Sequence, residues 1–216
     1  MINEIKTFNN QTLPISYSVF GRRTNKNRRV EYLRDPKGRL EGGYAIPEQV
    51  VLSRWRRKRS RKVTFYGMRL SPNIWRSIRI ALGDDVSMIV KMSIGEIEQR
   101  YLNAAAELKR LRYPKSNGIR ILCIKACLGT ENLEALLDRH NDPSRVNIYG
   151  TPDLLLWESN RKTKAIESMR FVEVKKPKEP LRKDQEAELS YLNNELRVPA
   201  LLLRLIEHKM TQRLKL

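Results

Sequence analysis

Residues 150–159, GTPDLLLWES, decide the fold because a turn leads directly into a short apolar strand. Gly150 and Pro152 are typical of a turn, and the three leucines that follow Asp153 form an uninterrupted apolar run. Such runs are characteristic of strands that are covered on both faces, as in α/β proteins. Asp153 therefore stands at the mouth of a buried strand, where a carboxylate is costly unless it has a partner.

A second strand is predicted at residues 170–176, RFVEVKK. Because side chains alternate along a strand, Glu173 and Lys175 point to one side and the two valines point to the other. These charges could form an ion pair at a sheet edge, or they could share a polar site with other groups. Asp153 favours the shared site, since a neighbouring strand would bring its carboxylate to Glu173.

Two carboxylates that converge in a basic protein indicate a bound cation. Oxygen ligands of this kind select a hard ion, so we expect Mg²⁺, with Mn²⁺ as a substitute. Lys175 would then lie beside the ion, where it could orient an attacking water or stabilise charge on a phosphorus centre.

The remaining pattern predicts an α/β fold in which a small mixed central sheet is flanked by helices. Helices are predicted to begin at Pro47 and to span residues 71–82, 93–112, 130–140 and 183–197; strands are predicted at 145–150, 152–158, 169–176 and 199–207. Residues 1–46 are polar and lack periodicity, so we expect a basic, loosely structured arm with one short element around 28–34. Residues 47–216 would form the main domain, with the motif region at 141–207.

Charge is the strongest compositional feature: 43 Lys and Arg face 24 Asp and Glu, which gives a net charge of +19. Such an excess predicts a polyanionic partner. The densest stretch, RWRRKRSRK at 54–62, could be a solvated helix face, a nuclear-import signal or a phosphate-binding patch with a stacking Trp. We favour the last. The predicted nucleic-acid-binding residues are Arg54, Trp55, Arg56, Arg57, Lys58, Arg59, Arg61 and Lys62, together with Lys176 and Arg182.

Other classes of protein are disfavoured. The two cysteines, Cys123 and Cys127, are too few for a disulfide framework, and no Cys/His cluster has zinc spacing. No segment resembles a signal peptide or a membrane span. We therefore expect an intracellular protein that is found with the nucleic acid and not in a membrane.

The segments YGTPDLLLW and FVEVKKPKEPLRKDQ together closely resemble the virus-type replication–repair nuclease (VRR-NUC) domain of the PD-(D/E)xK superfamily. A looser similarity links CLGTENLEALLDRH to the Fanconi-anaemia-associated nuclease. The resemblance implies a restriction-endonuclease-like core and metal-dependent cleavage of DNA. It implies that Asp153, Glu173 and the Val174 carbonyl bind the metal, that Lys175 is the catalytic lysine, and that Gln185 is the helix glutamine of the motif.

Gln185 also has support from its position. Leu189, Leu192 and Leu196 follow it at helical spacing, so its polar side chain lies on an apolar face and needs a partner. The partner could be an active site at the strand ends, or the side chain could cap the backbone at the start of its helix.

The resembled family also uses a glutamate from an N-terminal helix, and two residues compete for that role. Glu48 shares a helix face with Leu52 and Trp55, so it could point inward. Glu41 precedes two glycines in a predicted loop. We favour Glu48 as a catalytic and metal-binding residue. It could also be an ordinary glutamate at a helix start, where the positive end of the helix dipole stabilises its negative charge.

Together these features predict a metal-dependent DNA nuclease that acts on flaps, forks or four-way junctions in replication, repair or recombination. The alternative is a non-catalytic, basic nucleic-acid-binding protein with a nuclease-like core. Domains of this kind sometimes act as dimers, so the sequence leaves a homodimer open.

Overall fold

A five-stranded mixed sheet forms the centre of the fold, with the strand order β1-β5-β4-β3-β2. The strands are β1 (Asn10–Ser16), β2 (Val63–Arg69), β3 (Leu154–Asn160), β4 (Ile166–Lys175) and β5 (Ala200–His208). Strands β2, β3 and β4 pair antiparallel, whereas β4, β5 and β1 run parallel. The computed structural model describes residues 10–16, 47–70, 74–75, 78–79, 92–93, 96, 99–100, 103, 117–141, 150–176 and 179–208.

Among the residues that the structure describes, three helices have defined bounds and cover the sheet: α1 (Pro47–Arg56), α2 (Asn117–Asn141) and α3 (Lys183–Asn194). Phe171 of β4 packs on one face with α2 and α3, while Val172 and Val174 pack on the other face with α1. This is the alternation that RFVEVKK predicts. The expected α/β class, with a small mixed sheet flanked by helices, is therefore confirmed.

Helix α1 begins at Pro47 as predicted, because proline suits the first helical position and Glu48 suits the positive end of the helix dipole. Its apolar side chains, including Leu52 and Trp55, pack against the sheet. The Trp55 indole N–H also donates a 2.7 Å hydrogen bond to the carbonyl of Tyr66. This bond joins the end of α1 to β2, the strand at one edge of the sheet.

Helix α2 is longer than the predicted 130–140 segment and begins at Asn117. Gly129 interrupts it with φ 75° and ψ 176°, a backbone geometry that glycine adopts easily. The pattern therefore predicts only the part that follows this break. Ser93 and Glu96 form a capping box at the start of the segment 93–112, which is predicted to be helical: the Ser93 N–H donates to Glu96 at 2.7 Å, and the Glu96 N–H donates to the Ser93 hydroxyl at 3.3 Å.

The sequence pattern does not predict strands β1 and β2. Strand β1 lies within the expected loose arm, yet it pairs in parallel with β5 over its whole length. Parallel pairing between residues so far apart in the chain leaves no local signal. The short element expected at 28–34 and the strand expected at 145–150, except for Gly150, lie outside the described residues. Within the described ranges, no helix is long and apolar enough to cross a bilayer.

Candidate active site

The candidate site lies at one end of the strands, where β3 begins and β4 ends. Asp153 precedes β3, and its carbonyl accepts a 2.8 Å hydrogen bond from the Leu70 N–H at the end of β2. Its side-chain Oδ2 accepts a second 2.8 Å bond from the Val174 N–H. The carboxylate is therefore held against the backbone between Glu173 and Lys175, as the antiparallel pairing of the two strands requires.

Glu173 and Lys175 are buried and form an ion pair of 3.0 Å between the ammonium and Oε1. Gln185, on α3, donates its amide N–H to the same Oε1 atom. Its amide oxygen accepts a 3.2 Å bond from the Arg182 N–H at the start of the helix. Both roles considered for Gln185 therefore occur together: it caps the helix backbone and it orients the glutamate.

The electrostatics of the site disfavour negative charge on both acids while no cation is present. Burial raises the pKa of Asp153 to about 6, and the nearby Glu48 carboxylate contributes to the rise. Burial and the charge of Asp153 together raise the pKa of Glu173 to about 7. The Lys175 ammonium opposes both shifts without cancelling them. Perturbed carboxyls of this kind are characteristic of functional sites.

Glu48, in the first turn of α1, lies close enough to Asp153 for its charge to raise the pKa of the Asp153 carboxyl. Its Oε2 atom is buried and accepts no hydrogen bond within the described structure. Helix α1 thus brings a third carboxylate towards the pair from the opposite face of the sheet. The competing residue, Glu41, lies outside the described residues, so the choice between the two stays a prediction.

Glu179 is a further carboxylate at the site that sequence reasoning overlooks. Its Oε1 atom is 3.6 Å from the Lys175 ammonium, and its Oε2 atom accepts the Lys176 N–H at 3.2 Å. Arg204 of β5 donates to the carbonyls of Lys176 and Glu179, which ties both residues to β5. The only sequence signal is the spacing of four residues between Lys175 and Glu179, and this spacing says little outside a helix.

A buried ionic cluster positions α3 behind the site. Glu188 accepts a 2.8 Å bond from Arg139 and lies 2.7 Å from a ring nitrogen of His140, both at the end of α2. These partners hold the pKa of the buried Glu188 carboxyl below its usual value. Gly150 lies against the same helix, where an added Cβ would be 2.9 Å from the Asp184 carbonyl. This close approach explains the glycine in the turn before Asp153.

The predicted nucleic-acid-binding residues fall into two groups. Arg182 lies near the carboxylates: its bond to Asp184 is the main cause of the rise in its pKa, and the charges of Glu173 and Asp153 add to that rise. Lys176 directly follows the end of β4, and its backbone N–H donates to Glu179. Residues 54–62 lie at the end of α1 and in the loop before β2. Trp55 is only 7% exposed, with its ring packed edge-on against Phe65. This burial argues against the expected stacking role.

Two observations indicate that these residues could bind a divalent cation. The Oε2 atoms of Glu48 and Glu173 are both buried, and neither has a hydrogen-bond partner in the part of the chain that the structure describes. Burial also raises the pKa of the Asp153 and Glu173 carboxyls although the Lys175 ammonium lies nearby, and a bound cation would favour their ionised forms. However, no group of three or more His, Cys, Asp or Glu side chains among the described residues is spaced as a complete metal site. A cation here would therefore depend on few carboxylates and on backbone oxygen.

Comparison with known proteins supports the architecture. No curated protein matches this chain. The chain is similar to a crystal structure of paFAN1 bound to DNA with a one-nucleotide 5′ flap and a gap, with a TM-score of 0.50 and 14% identity. The match covers 92% of this chain and 38% of that one. A second paFAN1 structure, with a two-nucleotide 5′ flap, has a TM-score of 0.47, 16% identity, and coverage of 93% and 38%. The first likeness shows a shared fold, and this chain spans well under half of the solved chain.

The family model described as the VRR-NUC domain matches residues 95–204, which is more than half of the chain. The matched segment includes Asp153, Glu173, Lys175 and Gln185, the residues that carry the resemblance noted in the sequence. That resemblance is therefore confirmed. This chain belongs to the VRR-NUC domain family.

Proposed function

We propose that this protein is a metal-dependent deoxyribonuclease that hydrolyses phosphodiester bonds in flapped or branched DNA. The observation that carries the proposal is the convergence of Asp153, Glu173, Lys175 and Gln185 at one end of the strands. A passive DNA-binding protein gains nothing from buried carboxylates, because they repel phosphate. Membership of a nuclease family and the net charge of +19 support the same conclusion.

The proposed cation is Mg²⁺, with Mn²⁺ as a substitute, because all the available ligands are hard oxygens. Asp153, Glu173 and the Val174 carbonyl would hold it. Glu48 would be a further ligand from α1, because its charge acts on Asp153, although the three carboxylates are not spaced as a complete site in the part of the chain that the structure describes. When bound, such an ion lowers the pKa of its water and neutralises charge that develops on the phosphate.

The protein side chains have distinct roles in this reaction. Gln185 donates to Oε1 of Glu173, and Oε2 of the same carboxylate has no donor among the residues that the structure describes. Lys175 is fixed between Glu173 and Glu179, with N–O distances of 3.0 and 3.6 Å. Its ammonium can therefore stabilise the negative charge on the phosphoryl oxygens in the transition state, or orient the attacking water. Lys176 and Arg182 flank this position, where they can contact the DNA backbone.

The substrate class is inferred from chemistry and from likeness. The positive charge selects a polyanion, and the solved relative of similar fold is bound to 5′-flap DNA. An enzyme with this substrate works inside the cell, with the nucleic acid. Whether two copies assemble stays a prediction from the resemblance, and sedimentation of the protein alone measures it.

The test uses flap, fork, four-way-junction and linear duplex DNA, incubated with the protein in Mg²⁺, in Mn²⁺ and in EDTA. We expect cleavage in either metal and none in EDTA. Replacing Lys175 with Met should reduce the single-turnover rate by at least about 100-fold while leaving DNA affinity in EDTA nearly unchanged. Binding without cleavage on every substrate would instead support the non-catalytic alternative, and a fully active Lys175→Met protein would exclude the mechanism.

A further inference from the structure

A second group of positive charges lies away from the candidate active site, in two loops that meet at the other end of the sheet. We call this group the distal basic cluster. Its members are all exposed, and they come from the loop between α1 and β2 and from the turn between β3 and β4: Lys58, Arg59, Arg61, Lys62, Arg161, Lys162 and Lys164.

Hydrogen bonds join the two loops into one surface. The Arg161 N–H donates to the Lys62 carbonyl at 2.9 Å, and the Arg161 guanidinium donates to the Val63 carbonyl at 3.2 Å. Each loop is also braced internally: Ser60 accepts the Lys62 N–H, and Asn160 accepts the Lys162 N–H. The fold therefore holds these loops together through backbone contacts and not through compensating charges.

No ion pair between this cluster and an acidic side chain occurs among the residues that the structure describes. Glu167, the carboxylate nearest in sequence to the turn, accepts a bond from the Asn160 amide. Like charges held together repel, and the repulsion is relieved when a polyanion replaces the small counterions. The distal basic cluster is therefore suited to bind a polyanion.

The position of the cluster sets its distance from the site. Strand β3 begins at the candidate active site, next to Asp153, and ends at Asn160 beside the cluster. Asn160 pairs with Val63 at the start of β2. At a rise of about 3.3 Å per residue, these seven residues span on the order of 23 Å. One strand of B-DNA advances about 3.4 Å per nucleotide, so that span corresponds to roughly seven nucleotides.

We infer that the distal basic cluster is a second DNA-binding site, which holds the phosphates of a duplex arm about seven nucleotides from the bond that is cut. The inference rests on the proposed nuclease function. A duplex is favoured over a single strand because residues 57–62 and 160–165 contain no aromatic side chain on which a base could stack. Contacts of this kind position the substrate and do not read its sequence.

The test compares two double variants of equal net charge. Arg61→Gln/Lys162→Gln removes one exposed cation from each loop of the cluster. Lys125→Gln/Arg197→Gln removes two cations outside the cluster, from α2 and from the turn before β5. Fluorescence anisotropy in EDTA would measure affinity against salt for flap substrates whose arms are lengthened in turn from 4 to 12 base pairs.

On the long-arm substrate, the cluster variant should bind about 10-fold more weakly at low salt, and its plot of log affinity against log salt should lose a slope of about 2. The control variant should lose much less slope. On short arms, both variants should match the unmodified protein. Arg59→Gln/Lys62→Gln provides an independent second variant, and circular dichroism would check the fold of each protein.

The inference is overturned if the cluster variants behave like the control on long arms, or if they lose affinity equally on short arms. An acidic protein partner in place of DNA would produce the first of these results. Because binding is measured in EDTA, a protein that binds DNA but never cuts would exclude the nuclease proposal alone. If the protein cuts DNA but the cluster substitutions leave its DNA affinity unchanged, only this second site is excluded.

Discussion

Replacing Asp153 with Asn should make the metal-free protein more stable, although it should abolish cleavage. The asparagine oxygen can still accept the Val174 N–H that Asp153 accepts at 2.8 Å. The substitution therefore keeps the shape of the site and removes a charge that burial disfavours. The expected gain follows from the pKa of Asp153, which the fold raises from 3.8 to about 6.

The sign of the effect depends on pH. An acid whose pKa is raised by folding costs no stability below its unfolded pKa, and the full cost is reached above its folded pKa. The rise of about 2 pKa units means that the ionised Asp153 lowers the free energy of unfolding by about 3 kcal/mol above pH 6. At pH 4 this destabilisation is only about 0.5 kcal/mol. The new amide N–H group of the asparagine would reduce this gain in stability by about 1 kcal/mol, at every pH, if it is left unpaired. The difference in free energy of unfolding between variant and parent should thus grow by about 2.5 kcal/mol from pH 4 to pH 8.

Urea denaturation in EDTA, followed by tryptophan fluorescence at several pH values, measures this difference. Glu167→Gln is the matched control, since it removes an exposed carboxylate from β4 and should change stability by less than about 0.5 kcal/mol. Added Mg²⁺ should stabilise the parent protein and not Asp153→Asn, because only the parent keeps the ligand. If Asp153→Asn follows its parent at every pH, the carboxyl is not desolvated and the reasoning is refuted.

Three further predictions concern the residues that position the site. Gln185→Ala should slow single-turnover cleavage by about 10-fold or more without weakening DNA binding, because Glu173 loses its orienting donor; an unchanged rate would contradict this role. Glu188→Gln should lower the free energy of unfolding by about 3 kcal/mol at pH 7. Since pairing lowers the pKa of Glu188, its stabilisation is present above its usual pKa and should disappear as the pH falls through the folded value, so a pH-independent difference in urea denaturation would disprove it. Gly150→Ala should cost about 1–3 kcal/mol and slow cleavage, since the methyl group would press on the start of α3; thermal denaturation and the same cleavage assay would show whether the turn tolerates it.

The candidate active site could be predicted from sequence because its signals are local. A period of two places Glu173 and Lys175 on one side of β4, and a period near 3.6 places Gln185 on the buried face of α3. The turn before Asp153 marks where the next strand begins. These three patterns need no knowledge of the rest of the chain, and the structure brings the residues together as expected.

Contacts between distant segments could not be predicted in the same way. The basic run at 54–62 favours a stacking role for Trp55, yet α1 packs its ring against Phe65 of β2. The Glu179 carboxylate lies 3.6 Å from the Lys175 ammonium, and Arg204 of β5 donates to the Glu179 carbonyl. Helical spacing places Trp55 on one face with Leu52, but the partners Phe65 and Arg204 follow only from how separate elements pack.

The sequence by itself therefore determined the chemistry of this protein: its charge, its pair of carboxylates with a lysine and a glutamine, and the family to which they belong. The tertiary structure alone decided how the charges are distributed: Arg182 lies near the carboxylates, and residues 58–62 lie beside the turn at 161–164, one strand length away. The physical reason is that alternation and helical spacing are properties of consecutive residues. The pairing of β2 with β3, which brings residues 58–62 to that turn, is a property of the folded chain.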